Sequence, residues 1–335
     1  MDDMMIIKSG SFDACFNLAF EEYILDCLTE KSKYILFLWR NDNAVIIGRN
    51  QNACNECNLE AMKKYGTRLV RRNTGGGAVY HDLGNLNFSI FCPKECYDIK
   101  RSAGVVRRAV GRFGVMAEYS GRNDLLVNGR KFSGNAFLSG DRTGLHHGTI
   151  LLHTDLIRME EVLRAPREKL EPRGIASVRS RVINLCEING NITAEQVGEI
   201  MICEFMEEYE HSALCMVGEK QMGALVEDGK LDALVKKYSS DVWNLGGSYS
   251  YNRTGKGRFS WGQCEIRLLV EQNVVLEIDI ETDALVPEDI IRTADWLKGM
   301  SLKRLKEEDT LWMACKETGA DAGIIRDILG LVNRM

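Results

Sequence analysis

The run Arg71-Arg72-Asn73-Thr74-Gly75-Gly76-Gly77-Ala78-Val79-Tyr80-His81-Asp82 decides how this chain is read. Three consecutive glycines permit positive φ and let backbone N–H groups come close to a ligand. Successive N–H groups in such a turn can line an anion-binding hollow, and two adjacent arginines present forked donors that suit phosphate or carboxylate. A glycine hairpin with two solvated arginines is the plainer alternative, since such turns are common in sheets. The spacing is neither the P-loop G-x-x-x-x-G-K nor the dinucleotide pattern G-x-G-x-x-G.

On either reading the run lies among strands. Arg68–Arg72, Ala78–His81 and Asn87–Cys92 have strand character and are punctuated by the glycines and by Asp82-Leu83-Gly84-Asn85. Upstream, Tyr34–Trp39 and Ala44–Gly48 flank the turn Arg40-Asn41-Asp42-Asn43, and Asn58–Tyr65 reads as a helix stopped by Gly66. Ser11–Glu30 opens on an N-cap candidate, Ser11, and carries apolar residues at helical spacing. Downstream, Arg101–Phe113 is helical, and Asp124–Val127, Lys131–Phe137 and Gly148–His153 return to strand character around the turns Asn128-Gly129 and Ser139-Gly140-Asp141. Thr193-Ala194-Glu195-Gln196 is a capping-box pattern opening a helix to about Tyr209. A further helix is expected at Lys220–Lys237, then a glycine- and serine-rich linker at Ser239–Gly257. Short alternating segments and helices near Glu288–Lys298 and Ala320–Leu331 follow. The expected fold class is α/β (α+β), with a large mixed-sheet domain over residues 1–246 and a small α+β C-terminal domain over 251–335.

Composition narrows the function classes. The chain has 335 residues, 45% hydrophobic and 27% charged, and its 43 basic and 48 acidic side chains leave a net charge of −5. Such a chain is too apolar to be chiefly disordered. Its apolar runs are far shorter than the ~20 residues a spanning helix needs. The slight acidity argues against wholesale nucleic-acid binding. No signal-peptide pattern opens the sequence, and eleven cysteines, an odd number, suit reduced thiols in a cytoplasm. Cys54, Cys57, Cys92 and Cys96 have spacings that could hold a tetrahedral zinc, although the intervening residues read as folded sheet.

Four other segments carry polar chemistry. Asn123-Asp124 at a strand start could hold magnesium, which favours carboxylate and amide oxygens. In Lys131-Phe132-Ser133, strand alternation places Lys131 and Ser133 on one face, and an inward lysine needs an anionic partner. His146-His147-Gly148-Thr149 reads as a polar turn into a core strand, and Gly174–Arg181 as a loop able to cover phosphates.

These segments, taken in order, resemble the lipoate–protein ligase A family of the biotin/lipoate ligase superfamily in its two-domain form. The matching stretches are Phe37–Asn41, Ile47–Asn52, RRNTGGGAVYHDLGN (71–85), GRNDLLV (121–127), GRKFSGNAF (129–137), HHGTILL (146–152), SVRSRVINL (177–185) and FSWGQCEI (259–266). The resemblance implies an ATP-dependent ligase that forms lipoyl-AMP and pyrophosphate. It would then pass the lipoyl group to a lysine of apo lipoyl domains in 2-oxoacid dehydrogenase E2 subunits and of glycine cleavage H protein. It implies Lys131 as the catalytic residue; Arg72, Gly77, Ala78, Val79, Tyr80, Lys131, Ser177 and Arg179 at the adenylate; and Trp39, Arg72, Gly75, Gly76, His81, Lys131, His147 and Thr149 at lipoate. Asp124 is the magnesium candidate, with ATP, Mg2+ and lipoate as substrates and no tightly held cofactor. A cytoplasmic monomer without nucleic-acid or membrane partners is expected. The chain departs from the family at Asn135, where serine is frequent, and at Leu138, where some members carry arginine. An octanoyl or lipoyl transferase of the superfamily is the alternative enzyme, and it needs a cysteine nucleophile near the lysine. No cysteine lies in sequence between Cys96 and Cys186. A carrier-binding protein without catalysis is the other alternative.

Overall fold

The structure is a computed structural model that describes residues 4–29, 33–120, 123–140, 142–164, 181–210, 214–217, 225–226, 229–246, 251–285 and 287–335. It divides into two compact units. The first holds residues up to Ile47, Ala53–Arg72 and Ala78–Asn244. The second holds Leu245–Met335 together with two loops, Gly48–Asn52 and Asn73–Gly77.

An eight-stranded mixed sheet forms the first unit, in the order β11-β1-β2-β6-β10-β9-β8-β7. Its strands are β1 (Met4–Lys8), β2 (Tyr34–Trp39), β6 (Asn85–Pro93), β7 (Glu118–Ser120), β8 (Asp124–Val127), β9 (Arg130–Ser139), β10 (Thr143–Leu151) and β11 (Leu214–Val217). β11, β1 and β2 pair in parallel, and the other pairings are antiparallel. A three-stranded sheet, β4-β3-β5, is built from β3 (Ala44–Ile47), β4 (Arg68–Arg71) and β5 (Val79–His81).

The central strands are buried on both faces, which is why β2 reads as an unbroken apolar run. Leu36, Leu38, Phe88 and Ile90 on one face pack with Val105, Val106 and Phe205 from the helices Ile99–Gly111 and Ala194–Tyr209. Ile35, Phe37, Phe91 and Leu145 on the other face pack with Leu18, Phe20 and Tyr238 from the helices Ala14–Tyr23 and Lys230–Ser239.

Local rules account for most element ends. Thr193 and Gln196 form the expected capping box, each side chain accepting the other's backbone N–H at 3.2 Å. Asn58 caps Leu59–Tyr65, which ends at Gly66 in the left-handed region. The first helix differs from the sequence reading. Asp13, not Ser11, is its cap, accepting from Cys15 N at 2.7 Å, and the helix passes into a π turn over Ile24–Leu28. The helix expected at Lys220–Lys237 is described from Lys230, after Gly229 at φ 81, while residues 218–224 and 227–228 lie outside the described residues.

The glycine-rich segment expected at Ser239–Gly257 includes regular structure among its described residues. A short helix, Asp241–Leu245, lies within it, and Trp243 and Asn244 fasten Arg71. Asn244 Oδ1 accepts from Arg71 N at 2.8 Å, Trp243 O accepts from Arg71 Nε at 2.9 Å, and Trp243 Nε1 donates to Arg71 O at 2.8 Å. Arg71 thus joins β4 to a segment more than 170 residues away instead of presenting its fork to a ligand. Asn244→Ala removes an acceptor from a buried backbone N–H, so unfolding experiments should show a loss of about 1–3 kcal/mol. A variant with parental stability would contradict this assignment.

In the second unit, β12 (Arg253–Phe259), β13 (Gly262–Glu271) and β14 (Val274–Thr282) form an antiparallel meander. Its strict alternation buries Cys264, Ile266, Leu268 and Val270 beneath the helices Pro287–Leu297, Thr310–Thr318 and Ala322–Val332. The fold is therefore the mixed α/β class, with a large mixed sheet and a small C-terminal sheet with helices.

Candidate functional site

One face of the large sheet changes from polar to apolar in successive cross-strand rows. The first row runs Trp39, Asn87, Thr149, Gly134 and Asp124 across β2, β6, β10, β9 and β8. The second runs Phe37, Ser89, His147 and Ala136. The third, Ile35, Phe91, Leu145 and Leu138, is wholly apolar. The apolar rows of this face pack against the helices Ala14–Tyr23 and Lys230–Ser239, and the polar row lies at its end.

Lys131 stands at the polar end. Its Nζ makes a 2.8 Å ion pair with Asp124 Oδ1, and both side chains are about one-third exposed. A β-bulge places it there: Leu125 pairs with Ser133 but Leu126 with Lys131, so Phe132 is the extra residue. The alternation expected from sequence fails at this point. Ser133 Oγ accepts from Asn135 Nδ2 at 3.3 Å on one face, whereas the Lys131 ammonium lies over Gly134 on the other. A Cβ at Gly134 would stand 2.8 Å from Nζ and push it aside, so the glycine leaves the lysine room to lie here.

Behind this pair lies a hydrogen-bonded brace. Asn123 and Asn135 exchange bonds: Asn135 N donates to Asn123 O at 2.9 Å and Asn123 Nδ2 donates to Asn135 O at 2.8 Å. His146 Nε2 contacts Asn135 Oδ1 at 2.9 Å, and its Nδ1 contacts Ser102 Oγ at 2.7 Å. The bonding pattern assigns the proton to Nε2. His146 and His147 lie inside β10, not in a turn before it, and face opposite sides of the sheet. Burial, aided by His147, pushes the His146 pKa down to about 3, and burial with Arg72 does the same to His81. Each is neutral when folded and titrates near 6.5 when unfolded. Their contributions to stability are present above pH 6.5 and lost as pH falls toward 3, at up to about 1.4 kcal/mol per pH unit each. Chemical denaturation from pH 7 to 5 should show that slope, flattened in His146→Gln. An unchanged slope would contradict the assignment.

A second buried cluster gathers several residues singled out above. Glu21, missed by sequence reading, accepts from Ser89 Oγ and lies 2.8 Å from His147 Nδ1. Trp39 Nε1 donates to Ser89 Oγ at 3.0 Å. His81 packs edge-on to Trp39, its ring 6.1 Å away, and its Nδ1 accepts from Asn41 Nδ2 at 3.1 Å. Arg72 is buried, which lowers its pKa to about 10 against the attraction of Glu21, and its Nη1 donates to Ile46 O at 3.3 Å. Trp39, Arg72, His81, His147, Thr149, Asp124 and Lys131 thus all belong to the first unit, as do Ala78, Val79 and Tyr80.

Gly75, Gly76 and Gly77 belong to the second unit. Gly76, at φ 90, donates its N–H to Ala284 O at 2.9 Å, and a Cβ on Gly75 would stand 1.8 Å from the same oxygen. Two of the three glycines therefore serve a close backbone contact with residue 284. Ser177 and Arg179 lie outside the described residues. Among the described residues no three His, Cys, Asp or Glu side chains group as metal ligands. Burial pushes the Cys57 and Cys92 thiols up to about 12, which disfavours the thiolate. No described helix is long and apolar enough to cross a membrane.

Comparison with known proteins identifies the family. The family model of the lipoyl protein ligase A/B catalytic domain matches residues 13–206, and that of the bacterial lipoate protein ligase C-terminus matches 248–313. LipL1 of P. falciparum, solved in complex with lipoate, is 26% identical, with a TM-score of 0.83 over 99% of this chain and 100% of that one. A bipartite lipoate protein ligase of Thermoplasma acidophilum, studied with its E2 lipoyl domain, is 29% identical, with a TM-score of 0.61 over 75% of this chain and 98% of that one. A lipoate-protein ligase A bound with ATP is 28% identical, with a TM-score of 0.61 over 73% of this chain and 99% of that one.

Proposed function

Because this chain belongs to the lipoyl protein ligase A/B family, we propose that it activates lipoate with ATP and transfers the lipoyl group to a carrier lysine. The observation that carries the reading is the Lys131 ammonium, held by Asp124 over Gly134 at the polar end of a face that becomes apolar two rows away. A fatty acid has that polarity. The ATP-bound and lipoate-bound relatives support the two substrates.

In the first step a lipoate carboxylate oxygen attacks the α-phosphorus of ATP. The bond to the leaving pyrophosphate breaks, and the acyl-adenylate remains. Both reactants are anionic there, so a fixed cation offsets their repulsion and stabilises the charge that develops. Lys131 fills that role, with Arg72 and the segment Gly77-Ala78-Val79-Tyr80 at the nucleotide. Asp124 and the neighbouring Asn123 offer the hard oxygen donors that suit the magnesium accompanying ATP. Lipoate lies against Trp39, Arg72, His81, His147 and Thr149. In the second step the neutral amine of a carrier lysine attacks the acyl carbon. AMP leaves with the bonding pair, and the amine proton passes to solvent. Apo lipoyl domains of E2 subunits and glycine cleavage H protein are the proposed carriers, an assignment supported by the Thermoplasma pair. The boundary near residues 246–251, a cytoplasmic setting and a monomeric state complete the proposal.

The test is pyrophosphate release. The protein with lipoate and MgATP should release it, and omission of lipoate or chelation of magnesium with EDTA should stop the release. Absence of release with all components present would contradict the ligase reading.

A further inference from the structure

The proposed reaction gives no role to Asn87, a buried amide on the polar row. Asn87 is 1% exposed and lies in the first row, directly opposite Trp39 on β2 and Thr149 on β10. Its Oδ1 accepts from Asn85 Nδ2 at 2.8 Å. Its Nδ2 has no hydrogen-bond partner among the described residues, and neither does Asn85 Oδ1. A buried amide donor left unpaired costs free energy, and native proteins rarely keep one without a ligand or water to fill it.

Position indicates what fills it. Thr149, beside Asn87, touches Gly134 N through its Oγ1 at 3.2 Å, and the Lys131 ammonium lies over Gly134. Asn87 and Gly134 are thus two strand spacings apart, about 10 Å between backbones. The Asn87 amide and the Lys131 ammonium over Gly134 stand at the two ends of that span, which suits an acyl phosphate with one oxygen toward each. The same face leads from Asn87 to Ser89 and Phe91, the direction in which it becomes apolar.

We infer that Asn87 is a substrate-contacting residue whose Nδ2–H donates to the acyl oxygen that does not bond to phosphorus. Lys131 holds the phosphate side of the same acyl phosphate. When the carrier amine attacks, this acyl oxygen gains negative charge, and Asn87 is the donor in place to receive it. The inference rests on the ligase reading and extends it to the acid's second oxygen.

The experiment measures pyrophosphate release against lipoate at saturating MgATP, and against ATP at saturating lipoate. It uses the full-length protein and the Asn87→Ala, Asn87→Ser and Asn87→Asp variants, with thermal unfolding as the folding control. Loss of a hydrogen bond to a charged group predicts that Asn87→Ala lowers kcat/KM for lipoate about 10- to 100-fold. The KM for ATP should stay within about twofold, because Asn87 is not placed at the nucleotide. Asn87→Asp should be worse than alanine, since a carboxylate repels the acid. Asn87→Ser, which retains a shorter donor and tests the site should alanine fail to fold, should recover part of the loss. Lipoamide, which keeps the acyl oxygen without the charge, should inhibit the parent more strongly than Asn87→Ala. Folded variants with parental lipoate dependence would overturn the inference, as would equal losses toward lipoate and ATP. If the parent releases no pyrophosphate, the ligase reading itself has failed; an active parent with indifferent variants refutes only the role of Asn87.

Discussion

Replacing Lys131 with alanine should abolish formation of the acyl-adenylate while leaving the fold intact. The side chain is about one-third exposed, and its ion-pair partner is Asp124. A partly exposed ion pair contributes about 0–1 kcal/mol to stability, so the melting temperature should move little. Its proposed catalytic contribution is much larger, because a fixed cation between two reacting anions acts where charge develops. A loss of about 100- to 1,000-fold or more in pyrophosphate release is expected, in line with removal of a transition-state donor elsewhere. Lys131→Arg should not restore the rate. The larger planar guanidinium must occupy the space over Gly134 into which the lysine folds. A Lys131→Ala variant that released pyrophosphate at the parental rate would remove the lysine from the mechanism.

The second large effect is expected at Arg72, and it should appear in stability as well as activity. Arg72 is 6% exposed and Glu21 is 4% exposed, and the two attract each other within the buried cluster. Arg72→Met keeps much of the side-chain volume but removes a buried cation that attracts Glu21 and donates to Ile46 O. Loss of that buried hydrogen bond and of the attraction should cost about 1–3 kcal/mol. Replacing both charges is far milder, so Arg72→Met combined with Glu21→Gln should recover much of the stability. Lipoate activation should not recover, because the cation assigned to the substrates is still missing. Urea denaturation of the two single variants and the double variant, alongside the same activity assay, separates the two roles. If the double variant were as unstable as Arg72→Met alone, the Glu21–Arg72 coupling would be refuted.

Arg71 and Arg72 also show what a sequence conceals. Both read as forked donors beside a glycine turn, yet their fates diverge. Arg71 is taken up by Trp243 and Asn244, and Arg72 is buried in the electrostatic reach of Glu21. Nothing local distinguishes them, because the partners of Arg71 arrive from a stretch that reads as a glycine-rich linker. His146 and His147 diverge in the same way: adjacent strand residues face opposite sides, one toward Ser102 and one toward Glu21. Glu21 is not among the residues the sequence singles out, and only tertiary packing shows that its face is turned inward.

Elements set by local chemistry were legible. The Thr193 capping box, the Gly66 stop and the Asn128-Gly129 turn, with both residues at positive φ, stand where composition places them. The order of motifs singles out Lys131, but its orientation was not legible. A bulge of one residue at Phe132 reverses the alternation on which that judgement depends. The Gly75-Gly76 pair illustrates a different limit. Its need for glycine was clear, but the sequence could not show that a backbone carbonyl, Ala284 O, is what approaches it in this structure.

The central claim, that this site makes an acyl-adenylate and passes the acyl group to a carrier, is tested most directly by mass spectrometry of a purified apo lipoyl domain. The domain is incubated with the protein, lipoate and MgATP, with parallel reactions that omit ATP or use Lys131→Ala. The account predicts a mass gain of one lipoyl group on a single lysine of the carrier, dependent on ATP and absent with the variant. An unmodified carrier in the complete reaction, or a lipoylated one without ATP through an acyl-thioester on a cysteine of this chain, would contradict it.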